Sequence, residues 1–417
     1  MLEFYKFLGS LKVAILWIIA ITILLIVGIV IPQGSVEQII NSSQPEIIKA
    51  ILVHIQAYDI YHSPIFLAVL ASLFLSLGIA TFEKIIPISK LVFSKTDISK
   101  INLSNSSLKR YEITNLENTK AKIKANGFKL ISEIGENENL VYFEKNKWSR
   151  LSPLISHISL FIILFGVIVT NLTSFKNFII LTPPEEILIQ KVITDSETKG
   201  KLVFSKNENW SVRANKFWKS YYKNQEMIKQ YYTDISIIDN NTKNEIFRKT
   251  ISVNEPLLYR NIYFYQSSWG IGYITVKIDN KDEKISLNLL DNYGYVSKKV
   301  KIGKNNYVFY VDRKNSVYVF DLHGKLIDLL EKNVKTKIEN VAIELNNLIE
   351  FTGLQVKKDL GIPFVYFGFV ILIIALIINF FAYKQIYLIK DDGKFYIIGK
   401  SNKNTYLFNQ ELKILIN

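Results

Sequence analysis

A chain of 417 residues with 51 Lys and Arg against 37 Asp and Glu carries a formal charge of +14, and it has no cysteine. The missing cysteine excludes a disulfide, a thiolate metal site and a thiol redox step of the chain's own. The positive charge is spread over loops as lysine, with no dense arginine stripe, which speaks against a nucleic-acid surface and for contact with anionic lipid.

The apolar residues are concentrated in four long blocks, so the pattern predicts a polytopic membrane protein. Residues 1–12 are a short basic lead. Residues 13–32 form the first span, uncharged up to Ile31 and closed by Pro32-Gln33-Gly34. A cleaved signal peptide would have a shorter apolar core and a small-residue cleavage site. Residues 33–63 are a loop with Lys49 as its single Lys or Arg, and positions 45–58 suit a short interfacial helix. Residues 64–82 are the second span.

Residues 83–150 are polar and lysine-rich. They read as a small α+β module with a strand at 110–114, a helix at 118–126, and a strand pair at 128–133 and 140–145. Residues 151–175 contain no Lys, Arg, Asp or Glu and form the third span. Residues 176–359 are strand-like: 234–239, 273–278 and 284–289 tend to alternate apolar and polar side chains. Positions 307–311 and 317–320 flank a hairpin loop at 312–316. So many short strands predict an antiparallel sandwich or barrel-like sheet. Residues 360–383 are the fourth span, and 384–417 a lysine-bearing tail.

The expected fold class is therefore an α+β membrane protein: four transmembrane helices, a large β-rich domain and a small α+β module. Four spans put both termini on one side. The lysine-rich lead, module and tail predict that this side is the cytoplasm or stroma, with the 176–359 domain in the periplasm or lumen.

His157 is the leading candidate for chemistry. An ionisable group inside a span is costly and faces a partner, a cavity or a cofactor. A neutral imidazole ligates haem iron, and it also serves as a packing hydrogen bond between helices; on residue type alone the two readings are balanced. Position 157 lies roughly 10 Å along a helix from Arg150. His62 reads as an interfacial polar residue, His54 as loop surface and His323 as a turn. No histidine pair has metal-site spacing. No nucleotide loop, catalytic triad or carboxylate pair stands out, so no enzyme activity is expected. The aromatic run of Trp210, Phe217, Trp218, Tyr221, Tyr222, Tyr231 and Tyr232, followed by Tyr263, Phe264, Tyr265 and Trp269, reads mainly as sheet core. Trp210, Trp218 and Trp269 are the candidates for a partner-binding surface within it.

Several short motifs in order now carry a resemblance. They are the first span from Ser10-Leu-Lys-Val to Pro32-Gln33; Tyr61-His-Ser-Pro64; Arg150-Leu-Ser-Pro-Leu-Ile-Ser-His157 with Gly166; Asn215-Lys-Phe-Trp218; Gln230-Tyr-Tyr-Thr-Asp234; Val253-Asn-Glu-Pro-Leu257; Tyr265-Gln266 with Trp269; and Val365-Tyr-Phe-Gly-Phe369. The chain resembles the ResB family, the large membrane subunit of system II cytochrome c biogenesis in plastids, cyanobacteria and some other bacteria. The resemblance implies a CcsA-type haem-handling membrane partner, apocytochrome c as client, and haem b in transit. It makes His157 the transmembrane histidine proposed as an axial haem ligand. It places the chain in a plastid thylakoid membrane or, alternatively, a bacterial inner membrane. Tyr383 stands where the resemblance calls for a second histidine, before Lys384-Gln385-Ile386.

Three functions are compatible with these residues. The first is a haem-handling assembly subunit. The second is a scaffold that holds apocytochrome c and stabilises the partner without touching haem. The third is a transporter or sensor, which the missing inverted repeat and the short tail disfavour.

Overall fold

The computed structural model describes residues 2–34, 36–94, 109–134, 140–196, 198–203, 208–223, 227–290, 294–312 and 314–416. Contacts divide it into two units, residues 1–171 with 361–417, and residues 172–360.

Among its described residues the first unit holds four helices long and apolar enough to cross a membrane. The first span, Leu11–Val30, starts at Ser10, whose hydroxyl accepts from the Val13 amide. It is apolar all round and buries only Val13 and Gly28, the pattern of a helix solvated by lipid. The second, Pro64–Ala80, starts at Ser63 with proline in its first turn, a favoured helix opening. It does not stop at the end of its uncharged run: a π-turn over Thr81–Ile85 carries it into a further helix, Ile86–Phe93. The third span opens with a 3-10 turn, Lys147–Leu151, and continues as Ser152–Thr173. The fourth is Ile362–Phe380.

The third and fourth spans meet along small residues in a constant antiparallel register. The Ser152 hydroxyl donates to the Ala375 carbonyl at 2.9 Å. Seven residues on, Ser159 faces Gly368: a Cβ on Gly368 would lie 3.0 Å from the Ser159 carbonyl. Seven further, Gly166 faces Gly361. Lipid tails are as apolar as side chains, so close backbone approach through small residues is what holds such helices together. The second span packs on the third through Phe74 and Phe161, edge to face at 5.0 Å. Its Ser76 hydroxyl donates to the carbonyl of Leu8, which ends the short helix Leu2–Leu8 ahead of the first span.

Residues 83–150 and the tail share one five-stranded antiparallel sheet. Its order is Arg110–Ile113, Lys394–Ser401, Lys384–Asp391, Leu140–Lys145, Lys129–Ile134. Helices Leu116–Ala125 and Thr405–Ile416 contribute Ile123, Phe408 and Leu412 to its core beside Val141, Phe143, Ile386 and Ile397. The tail is thus structural.

The second unit is β-rich. Two long strands, Ile262–Ile278 and Val341–Lys358, pair along nearly their whole length at the centre of a twelve-stranded sheet. A four-stranded sheet, Glu186–Leu188, Trp210–Tyr221, Ile228–Asp239 and Glu245–Ser252, covers one end. Phe264 and Leu354, in one half of the long strands, join Trp210, Val212 and Ile235 in a first core. Ile274 and Ile343, in the other half, join Phe309, Val311 and Val319 in a second. The hairpin read at 307–320 is present, with Val311 opposite Val317 and the Asp312 carboxylate accepting from the Lys314 and Ser316 amides.

Candidate functional site

His157 lies one and a half turns into the regular helix of the third span and is half-buried. Its Nδ1 is 2.8 Å from the Thr81 hydroxyl. Thr81 also donates to the Leu77 carbonyl at 2.7 Å. A threonine has one hydroxyl proton, so Thr81 accepts from Nδ1–H and the imidazole is left with its lone pair on Nε2. Among the described residues Nε2 has no hydrogen-bond partner. Thr81 opens the π-turn, an irregularity of the kind found at functional sites in helices. Phe161, one turn beyond His157, packs beside Gly78 of the second span. The arrangement is an imidazole with one nitrogen anchored and the other available, the form in which a histidine can ligate a metal centre.

Thr81 carries no signal in the sequence beyond its place at the end of an apolar run.

His62 is also oriented, by Asp59 at 2.5 Å, with both side chains largely buried beside the start of the second span. His54 ends helix Glu46–His54 and is exposed. His323 is exposed in a turn built on Asp321, whose carboxyl is held below its usual range by the amides of Lys325 and His323. Among the described residues no group of His, Cys, Asp or Glu could hold a metal ion.

The three tryptophans part company. Trp210 is 2 % exposed, set edge-on to Tyr259 and Phe264, with its indole N–H donating to Glu208 at 2.6 Å. It is core and offers no surface, which corrects its reading as a partner-binding residue. Trp269 is half-buried, stacked by Phe217 and Tyr231, with the Lys219 ammonium 3.9 Å over its ring and held there by Glu350 at 2.6 Å. Beside this stack, Thr233 and Thr352 both donate to Gln266 and tie the two sheets together. Trp218 points the other way, stacked on Tyr232 with Lys216 over its outer face. The reason is a β-bulge between Ala214 and Lys216. Trp210, Val212 and Ala214 face the core; past the bulge the inward positions become Phe217 and Lys219, and Trp218 turns outward.

Tyr383 belongs to a buried polar network. Its hydroxyl donates to Glu144 at 2.7 Å, as does that of Tyr142, and Gln385 donates to Tyr142 at 2.6 Å. The Arg150 guanidinium lies 5.2 Å from the Tyr383 ring centre. Burial, with Glu144 alongside, pushes the Tyr142 hydroxyl well above the ordinary tyrosine range, and burial pushes Tyr387 to about 12. The tyrosine here locks the tail's sheet to the third span's approach.

The model of the ResB-like family matches residues 11–316 and 307–413. A cytochrome c biogenesis protein CcsB of Microcystis aeruginosa is 28% identical over 98% of this chain and 94% of its own length. A cytochrome c biogenesis protein Ccs1 of Thalassiosira pseudonana is 34% identical over 71% of this chain and 69% of its own. Another Ccs1, from Rhodomonas salina, is 27% identical over 98% and 95%. With its membrane helices and its β-rich domain both inside the matched residues, the chain belongs to the ResB-like family.

Proposed function

We propose that the chain is the large membrane subunit of a cytochrome c assembly complex. It works with a CcsA-type partner that handles haem, and its client is apocytochrome c. The observation that carries this reading is the match, over 98% of the chain, to relatives named for cytochrome c biogenesis. His157 is the proposed axial ligand, supported by its Thr81 anchor and bare Nε2. Haem supplies the iron that this nitrogen would hold, and the chain's own Thr81 orients the ring.

The topology proposed is termini and five-stranded sheet in the stroma or cytoplasm, and the β-rich domain in the lumen or periplasm. The shared sheet supports the first part: strand Lys384–Asp391 pairs with Leu140–Lys145 only if both segments lie on one side of the bilayer. The lysine bias supports the assignment of that side. Cyanobacterial and plastid-bearing sources of the relatives support a thylakoid membrane, with a bacterial inner membrane as the alternative. The outward Trp218–Tyr232 pair supports a second reading, a scaffold that holds apocytochrome c without a haem ligand.

Co-expression with the partner and an apocytochrome reporter tests the assembly role. The haem covalently attached to the reporter is measured with and without this chain. Attachment that persists at the same level without the chain would overturn the proposal.

A further inference from the structure

Lys145 and Lys384 are direct cross-strand partners in the five-stranded sheet. Side chains so placed start about 5 Å apart, and like charges there repel. Their position in the chain gives the pair a meaning. Lys145 ends its strand two residues before Lys147, where the helical stretch of the third span begins. Lys384 begins its strand four residues after Phe380, where the fourth span ends. The pair therefore stands where the sheet meets the headgroup layer.

Both lysines, with Lys122, line a cavity of about 340 Å³. Its apolar side is Phe128, Leu415 and Ile414, and Ile414 is 74% exposed. Lys145 donates to the Asn126 carbonyl at 2.6 Å, and Lys384 to Glu411 at 2.5 Å. Three lysines and one carboxylate thus line the cavity, which leaves net positive charge beside exposed apolar surface at the bilayer edge. That pairing of chemistries matches a phosphate headgroup with the upper part of its acyl chains.

We propose that this cavity binds the headgroup phosphate of an acidic phospholipid from the adjoining leaflet. The lipid neutralises the Lys145–Lys384 repulsion and fixes the sheet against the base of the third and fourth spans. This inference rests on the spans and the sheet, and it stands whether or not the chain serves cytochrome c.

The test uses the full chain in phosphatidylcholine nanodiscs into which phosphatidylglycerol is titrated, with retained lipid counted by native mass spectrometry. Wild type should retain phosphatidylglycerol, and K145Q/K384Q should weaken retention about fivefold for each lysine removed. Lys394→Gln, at the far end of the sheet, should leave it unchanged. Lys122→Gln disturbs neither the Asn126 nor the Glu411 contact, so it keeps the test open if the double variant fails to fold; it too should weaken retention. Equal retention in wild type and folded variants would overturn the proposal. So would displacement of the lipid by equimolar inorganic phosphate, which would mark a free-anion site.

Discussion

The carbonyl oxygen of Gly166 sits 2.0 Å from where a Cβ on Gly361 would be. Backbone meets backbone there, and neither helix can yield by rotating a side chain. Even Gly361→Ala must push the third and fourth spans apart, at a cost of about 1–3 kcal/mol, the range for overpacking. Gly361→Leu should abolish the register altogether. The check is thermal unfolding of the purified full chain: both variants should melt below wild type, Leu further than Ala. The backbone of Gly361 is ordinary, with φ −84°, so the effect is one of space alone.

Thr81→Val keeps the branched shape and removes the hydroxyl that holds His157 Nδ1. If His157 is a ligand, this variant should weaken haem retention by about 10- to 100-fold, as loss of an orienting partner does. Thr81→Ser should restore it. The readout is bound haem per protein after dilution of the purified complex.

The buried tyrosines make stability pH-dependent at the alkaline end. Tyr387 has its folded value pushed from 10.0 to about 12, so the unfolded chain releases its proton first as pH rises. The stability it contributes is fully present below pH 10.0 and is lost as pH rises towards about 12. Tyr142 shifts in the same direction. Urea unfolding at stepped pH should show this decline, and Tyr387→Phe should flatten it.

Tyr383→Phe removes one of the two hydroxyl donors to Glu144, which is 3% exposed. An acceptor left short of a partner costs about 1–3 kcal/mol. Tyr142→Phe together with Tyr383→Phe should cost more than the sum of the single changes, because Glu144 then loses both tyrosine donors. Denaturant midpoints of the four proteins measure this.

Trp210→Ala should cost about 3–5 kcal/mol, as for other large core deletions. Trp218→Ala should leave the melting temperature near wild type. On the scaffold reading it would also impair cytochrome assembly, which reporter haem staining measures.

These contrasts mark what the sequence made legible. Uncharged runs announced the four spans, because length and hydropathy act locally. Alternation announced the strands for the same reason. The inward or outward aspect of Trp218 was not legible, because one bulged residue near Asn215 reverses the parity of everything after it. The sheet joining Leu140–Lys145 to Lys384–Asp391 was hidden by the sequence separation of its strands. Ser152, Ser159 and Gly166 were visible as polar or small residues, but their pairing with Ala375, Gly368 and Gly361 exists only between helices. Of the candidate site, His157 stood out as an ionisable group in an apolar run. Its Thr81 partner did not, since 76 positions separate them.

In the proposed function His157 presents an imidazole nitrogen to haem. Its most direct test is the absorption spectrum of the chain purified with its CcsA-type partner, with wild type, His157→Ala and His62→Ala measured side by side. A low-spin b-type haem band should be lost or shifted in His157→Ala and kept in His62→Ala. An unchanged band in His157→Ala would contradict it, and loss in His62→Ala alone would move the ligand to the Asp59-oriented histidine.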